Sequence, residues 1–132
     1  MTITLSPRSV ERLSGAHPDL AKVVMRAAAI SDLDFTVLEV LRTLDRQKEL
    51  VAKGASETMR SRHLPGANGK SHAVDLAPMI GGQVSWDWPL YHKLADIIKR
   101  AAHDVGVPIE WGGDWTTFKD GPHWQLPWKA YP

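Results

Sequence analysis

Between Asp87 and Gly106 the residues Tyr91, Leu94, Ala95, Ile98, Ala102 and Val105 recur at three- and four-residue intervals. That spacing is one face of an α-helix. Ser85 or Asp87 stands where an N-cap is needed, and Gly106 where a helix closes. A long helix with a single apolar face needs a second layer to cover it, so the rest of the chain must supply one.

The remaining segments are short and of mixed type. Ser6-Pro7 reads as an N-cap followed by proline at the first helical position, opening a helix through Leu13 that Gly15 ends. Pro18 opens another, with Leu20, Val23, Val24, Ala27 and Ala28 on one face. Residues 35–41, FTVLEVL, alternate loosely and are rich in β-branched side chains; a strand is expected, with helix left open. Residues 44–53 read as a helix stopping at Gly54, HAVDLAP as a strand ending at Pro78, GGQ as a turn and PIEW as a short strand. No βαβ rhythm appears. The expected fold class is therefore α+β, a small antiparallel sheet flanked by helices, in one domain spanning 1–132.

Composition narrows the chemistry. With 132 residues, 43% of them hydrophobic and six of them tryptophan, the chain can build one core without staples. The absence of cysteine excludes disulfides, thiolate metal sites and a cysteine nucleophile. A net charge of +1 with scattered basic residues gives no footprint for nucleic acid. The opening MTITLSPRSVERLSG lacks the apolar centre of a signal peptide, and no run is long enough to cross a membrane. Synthesis in the cytoplasm, no stable membrane association and a monomer are expected.

Any metal must then be held by histidine, carboxylate or water. Six histidines are available: His17, His63, His72, His92, His103 and His123. His17 precedes a helix and His92 and His103 lie on the long one, where capping or solvated roles are the ordinary reading. In a strand over 72–77, His72 and Asp75 point to opposite faces, so sharing an ion would require a bulge. His63 and Asp75 could face the same way across a reversal formed by PGANGK. Near the other end, Asp120 and His123 flank Gly-Pro, a turn that sets a carboxylate beside a histidine. A hydrolase uses such a carboxylate to take a proton from water and return it to the leaving amine; a turn aspartate beside a buried histidine is the plainer alternative. Most tryptophans are expected in the core, with Trp111 and Trp124 as candidates for a cleft wall.

Ser61-x-His63, Ala73-x-Asp75 and Asp120-Gly-Pro-His123-Trp124, in that order, resemble the zinc peptidases of the M15 family. Their L-alanyl-D-glutamate endopeptidases from phage endolysins are the most similar branch. The likeness takes in LSPRSVERLSGAHPDLAKVV, LRTLDRQ, GAS and WGGDW, and so nearly the whole chain. It implies a Hedgehog/DD-peptidase-like fold with Zn2+ held by His63, Asp75 and His123. It implies Asp120 as general base and acid, Arg42 on the oxyanion or a substrate carboxylate, and Ser61 and Gln47 in support on the substrate side. The implied partner is the stem peptide of bacterial peptidoglycan, reached after membrane permeabilisation and without a separate wall-binding domain. Two departures stand out. Eleven residues lie between His63 and Asp75, more than is usual in the family, and the excess falls in the turn-forming loop; a second alignment would use His72. Val40-Leu41-Arg42 stands where the family often has Gly-Tyr-Arg, with Arg46 a neighbouring candidate. A D-alanyl-D-alanine carboxypeptidase or dipeptidase is the nearest alternative activity, and a non-catalytic wall-binding module the alternative of another class.

Overall fold

The structure is a computed structural model and describes residues 2–54, 61–66, 68–117 and 119–132. Helices α1 (Pro7–Leu13) and α2 (Pro18–Ile30) lead into strand β1 (Phe35–Glu39) and helix α3 (Leu44–Ala52). Strand β2 (Ala73–Ile80) turns into β3 (Gln83–Val84) and is followed by helix α4 (Trp88–Val105). Strand β4 (Glu110–Trp111), a 3-10 turn at Gly112–Asp114 and strand β5 (His123–Gln125) come last. Among the described residues these strands all pair antiparallel, in the order β1-β2-β5-β4, with β3 appended to β2. The α+β expectation holds.

Local chemistry explains the boundaries. Ser6 Oγ accepts the Ser9 N–H and Pro7 occupies the first turn of α1. At α2 the cap is His17, whose Nδ1 accepts the Asp19 N–H at 3.0 Å. Asp87 is the N-cap of α4 without a side-chain bond, and Gly106 closes that helix in the left-handed conformation at φ 71°. The β2–β3 turn uses Gly81 and Gly82, both at positive φ, as a two-residue hairpin of this hand requires.

Strand β2 does not stop at Pro78, as the sequence suggested, but continues to Ile80. The Met79 N–H donates to the Asp34 carbonyl on the β1 side. Successive backbone nitrogens alternate in direction, so that of Pro78 faces away from β1, on the side where its carbonyl accepts the Ser85 N–H at 2.9 Å just past β3. Proline is tolerated because the β1–β2 ladder takes its hydrogen from Met79 and needs none from position 78.

Helices α2 and α4 pack together and on the sheet. Leu20, Val23, Val24 and Ala27 meet Leu94, Ala95, Ile98 and Ala101, all almost fully buried, above Val37, Val74 and Leu76. Helix α1 covers the outer edge of β1. Ser9 Oγ accepts the Val37 N–H at 3.0 Å, and the Arg12 guanidinium donates to the Val37 carbonyl at 2.9 Å. These bonds satisfy an edge that would otherwise be open to pairing. Among the described residues no helix is long and apolar enough to cross a membrane.

Candidate metal centre

Three strands bring their polar residues into one row. Glu39 of β1 lies opposite Asp75 of β2, and Asp75 lies opposite His123 of β5. Directly opposed residues share a face of the sheet, here the one turned away from the Val37–Leu76 core pair. The row depends on an irregularity. Val37 opposes Leu76 and Glu39 opposes Asp75, so Leu38 is an extra residue that re-aims the strand. Regular pairing would have set Leu38 beside Asp75.

His63 enters from the loop ahead of β2. Its carbonyl accepts the Arg42 N–H at 2.8 Å and its N–H donates to Ser61 Oγ at 3.1 Å. The loop is therefore clamped to the end of β1, while an antiparallel bridge between Pro65 and Ser71 and the His72 N–H bond to the Arg62 carbonyl at 2.9 Å set the stretches before and after the turn side by side. His63 Nε2 lies 3.1 Å from Asp75 Oδ1, and His123 Nδ1 lies 3.4 Å from the same oxygen. The two rings stand 5.1 Å apart, edge to face. Among the described residues, His63, Asp75 and His123 form a group whose ligand atoms all lie within 4.8 Å of one another.

The outer nitrogen of each ring is already engaged. His63 Nδ1 is 2.8 Å from the Val40 carbonyl, and His123 Nε2 is 2.8 Å from Gln125 Oε1. When each outer N–H donates to its oxygen, the inner nitrogens, His63 Nε2 and His123 Nδ1, keep lone pairs aimed at a common point. That is how a protein orients imidazoles toward a metal ion. Two imidazoles, one carboxylate and no sulfur form a donor set suited to a divalent ion with one open position. Burial alone would raise the Asp75 carboxyl, but the charges and hydrogen bonds of His63 and His123 hold it well below the usual carboxylate range. Burial opposes protonation of His123, yet hydrogen bonding and charge from Asp75 carry it above its ordinary value.

Asp120 stands at the mouth of this group, half-buried, in the turn before β5. Its N–H donates to the Gly112 carbonyl at 3.1 Å and its carbonyl accepts from the His123 N–H at 3.3 Å. Gly112 permits the close approach: a Cβ there would lie 2.5 Å from the Asp120 carbonyl oxygen and 3.1 Å from His123 Cβ. Burial and the nearby Asp75 charge raise the Asp120 carboxyl, against the opposing pull of His123, His63 and Arg42. A carboxylate so raised is a better proton acceptor than one free in water.

Arg42 is held in place, its guanidinium paired with Glu39 and donating to Gln47 Oε1 at 2.7 Å and to Ser61 Oγ at 3.4 Å. Gln47 is fully buried and acts on Arg42 from within, so it does not offer itself to a substrate. Arg46 pairs with Glu49 on the exposed face of α3. Of the two arginines, only Arg42 belongs to this cluster.

His72 packs instead against His17, with ring centroids 5.3 Å apart, and near Tyr131. Burial, then the charges of Arg62 and His17, lower its pKa. It takes no part in the ligand group. Trp111 and Trp124 are buried and stacked 5.7 Å apart. Trp111 Nε1 donates to the Gly121 carbonyl at 2.7 Å, bracing the Asp120 turn from behind. The ring beside the site is Trp115, 5.1 Å from His123 and half-buried. Sequence reasoning missed Gln125, Trp115 and Glu39. Gln125 was within reach of it, because two residues past His123 on a strand is the same face. Tyr91 lies beneath the turn, with its ring 3.3 Å from where a Gly121 Cβ would be. Burial, then the charges of Asp120 and Asp75, push its phenol up to about 12.

Comparison with known proteins gives a consistent assignment. The L-Ala D-Glu endopeptidase ChiX of Serratia marcescens superposes with a TM-score of 0.88 at 45% identity, over 98% of this chain and 94% of that one. The L-alanyl-D-glutamate peptidase of Escherichia phage T5 is 28% identical over 91% of this chain and 87% of its own length. The protein of that name from Listeria phage A118 is 31% identical over 93% of this chain, which spans 41% of that longer protein. A family described as phage L-alanyl-D-glutamate peptidase matches residues 1–125, and the chain belongs to that family.

Proposed function

We propose that the chain is a zinc-dependent peptidoglycan endopeptidase, an endolysin that cuts the L-alanyl-D-glutamate bond of the stem peptide. The observation that carries this reading is the pair of imidazoles with anchored outer nitrogens converging on Asp75 beneath Asp120. A structural metal site has no need of a free carboxylate at its mouth, which argues against a mere binding module. The names of the relatives support the choice of bond.

In this reading His63, Asp75 and His123 hold zinc, which when bound supplies a Lewis acid and lowers the pKa of water toward neutrality. Asp120 orients the attacking water, takes its proton and delivers that proton to the departing D-glutamate nitrogen. Arg42, fixed by Glu39 and Gln47, presents a cation that needs no reorganisation as charge develops on the carbonyl oxygen. Ser61 holds both Arg42 and the backbone of His63. Trp111 and Trp124 support the turn rather than the substrate. Action at the wall once the inner membrane has been opened, by a monomer, belongs to the same proposal.

Mass spectrometry of digested peptidoglycan tests it. Fragments with a new D-glutamate N-terminus are expected, absent with chelated protein and with Asp120→Ala. Release of terminal D-alanine alone would make the protein a carboxypeptidase, with Arg42 as the clamp for the free carboxylate. An unchanged digest from folded, zinc-loaded protein would refute both activities.

A further inference from the structure

Beyond Glu39, on the side away from Asp75, helix α1 and the end of β1 enclose an open cavity of about 630 Å³. Helix α1 contributes Arg8, Glu11 and Arg12, and the chain from Leu38 to Leu41 forms the opposite wall. That wall is continuous with the candidate centre, because Glu39 grips Arg42 and the Val40 carbonyl anchors His63. The cavity and the candidate centre thus lie on either side of the Glu39–Val40 segment. Its volume is in the range of small-molecule sites.

The charges inside it are unequal in what they already do. Arg12 is spent on the Val37 carbonyl and Glu39 on Arg42. Arg8 and Glu11 are exposed and, among the described residues, their side chains bond to nothing. They stand three apart on α1, at ion-pair spacing, yet do not pair. Among the described residues the cavity thus offers one free cation, Arg8, and one free anion, Glu11, beside the apolar side chains of Leu38 and Leu41.

We propose that this cavity is a substrate subsite for a zwitterionic end group, an ammonium and a carboxylate on one carbon at the tip of a short aliphatic stem. The proposal rests on the peptidoglycan reading and adds a substrate class to it. A stem peptide carries a diamino acid after D-glutamate. Where that residue is a diamino diacid, its free end has both groups; where it is lysine, only the ammonium. Arg8 meets the carboxylate and Glu11 the ammonium, while the stem lies on the leucines. Cross-linking through that amine removes the ammonium, so uncross-linked stems are preferred.

The test uses two soluble stem peptides that differ only in the third residue, diamino diacid or lysine, with the zinc-loaded full chain. The unmodified protein is expected to favour the diacid peptide in kcat/KM. Arg8→Gln should cut that preference roughly fivefold, through KM on the diacid peptide, the size of one partly solvated ion pair. Glu11→Gln should raise KM on both peptides and leave the preference standing. Arg100→Gln, exposed on α4, should change neither value. Equal cleavage of both peptides by the unmodified protein, or an Arg8→Gln variant with the preference intact, would overturn the subsite while leaving the endopeptidase reading in place. Cleavage of neither peptide would overturn both.

Discussion

Asp75 is the residue on which the centre turns, because one of its oxygens faces both histidines. Without metal, that contact becomes a pH-dependent contribution to folding. The native carboxyl is depressed below 3.8, so its contribution is present above that value and lost as pH falls through the native one. The native His123 imidazole is raised above 6.5, so its contribution is full below that value and lost as pH rises through the native one. Both operate together between about pH 4 and pH 6.5. Metal-free protein should therefore unfold at its highest temperature in that mildly acidic window. His123→Gln should flatten the decline on the alkaline side. Thermal scans in chelator across pH check this, and a midpoint still climbing from pH 6.5 to pH 8 in the unsubstituted protein would contradict it.

At the scale of elements, the centre is held by short devices more than by long ones. Gly112 is the clearest, since any side chain there meets the Asp120 carbonyl and His123 Cβ. Gly112→Ala should push the Asp120 turn off β5, with a loss of about 1–3 kcal/mol in unfolding free energy, the usual size of overpacking. The same substitution should weaken metal binding by displacing His123, which calorimetric titration with zinc can measure. Unchanged stability and affinity would mean that the turn relaxes freely. These devices also mark where sequence reading ran short. The periodic helices and the Asp120–His123 turn were legible because their signals are local: apolar spacing, caps and a Gly-Pro pair. The extra residue at Leu38, which decides that Glu39 faces Asp75, leaves no local signature. Pro78 misled because its cost depends on whether a neighbouring strand reaches it, a tertiary fact. Trp111 and Trp124 misled for the same reason: an aromatic beside a catalytic motif can wall a cleft or brace the turn beneath, and only packing decides.

Across the whole molecule, the ligand group draws on three segments that the sequence holds far apart: the loop at His63, strand β2 and strand β5. Asp75 and His123 are placed by adjacent strands that pack on α2 and α4, so their positions come with the core. His63 is placed by the backbone bonds of Arg42 to it and of His72 to its neighbour Arg62, by its own ring on the Val40 carbonyl, and by the Arg62 guanidinium, which donates to the Leu126 carbonyl at 3.1 Å. A metal ion joining all three would fasten that loop to the core, and binding would add to the free energy of unfolding. Zinc at a thousandfold excess over its dissociation constant should add about 4 kcal/mol, seen as a higher melting temperature. His63→Ala should abolish most of that increment and also lower the metal-free midpoint, because the buried imidazole is lost from its place on the Val40 carbonyl. Ile98→Ala should lower both midpoints through the loss of about 2–5 kcal/mol typical of a buried aliphatic truncation, yet leave the zinc increment intact. Matched losses in both variants would show instead that the centre and the core unfold as one unit, with the loop at His63 as much a part of the fold as α4.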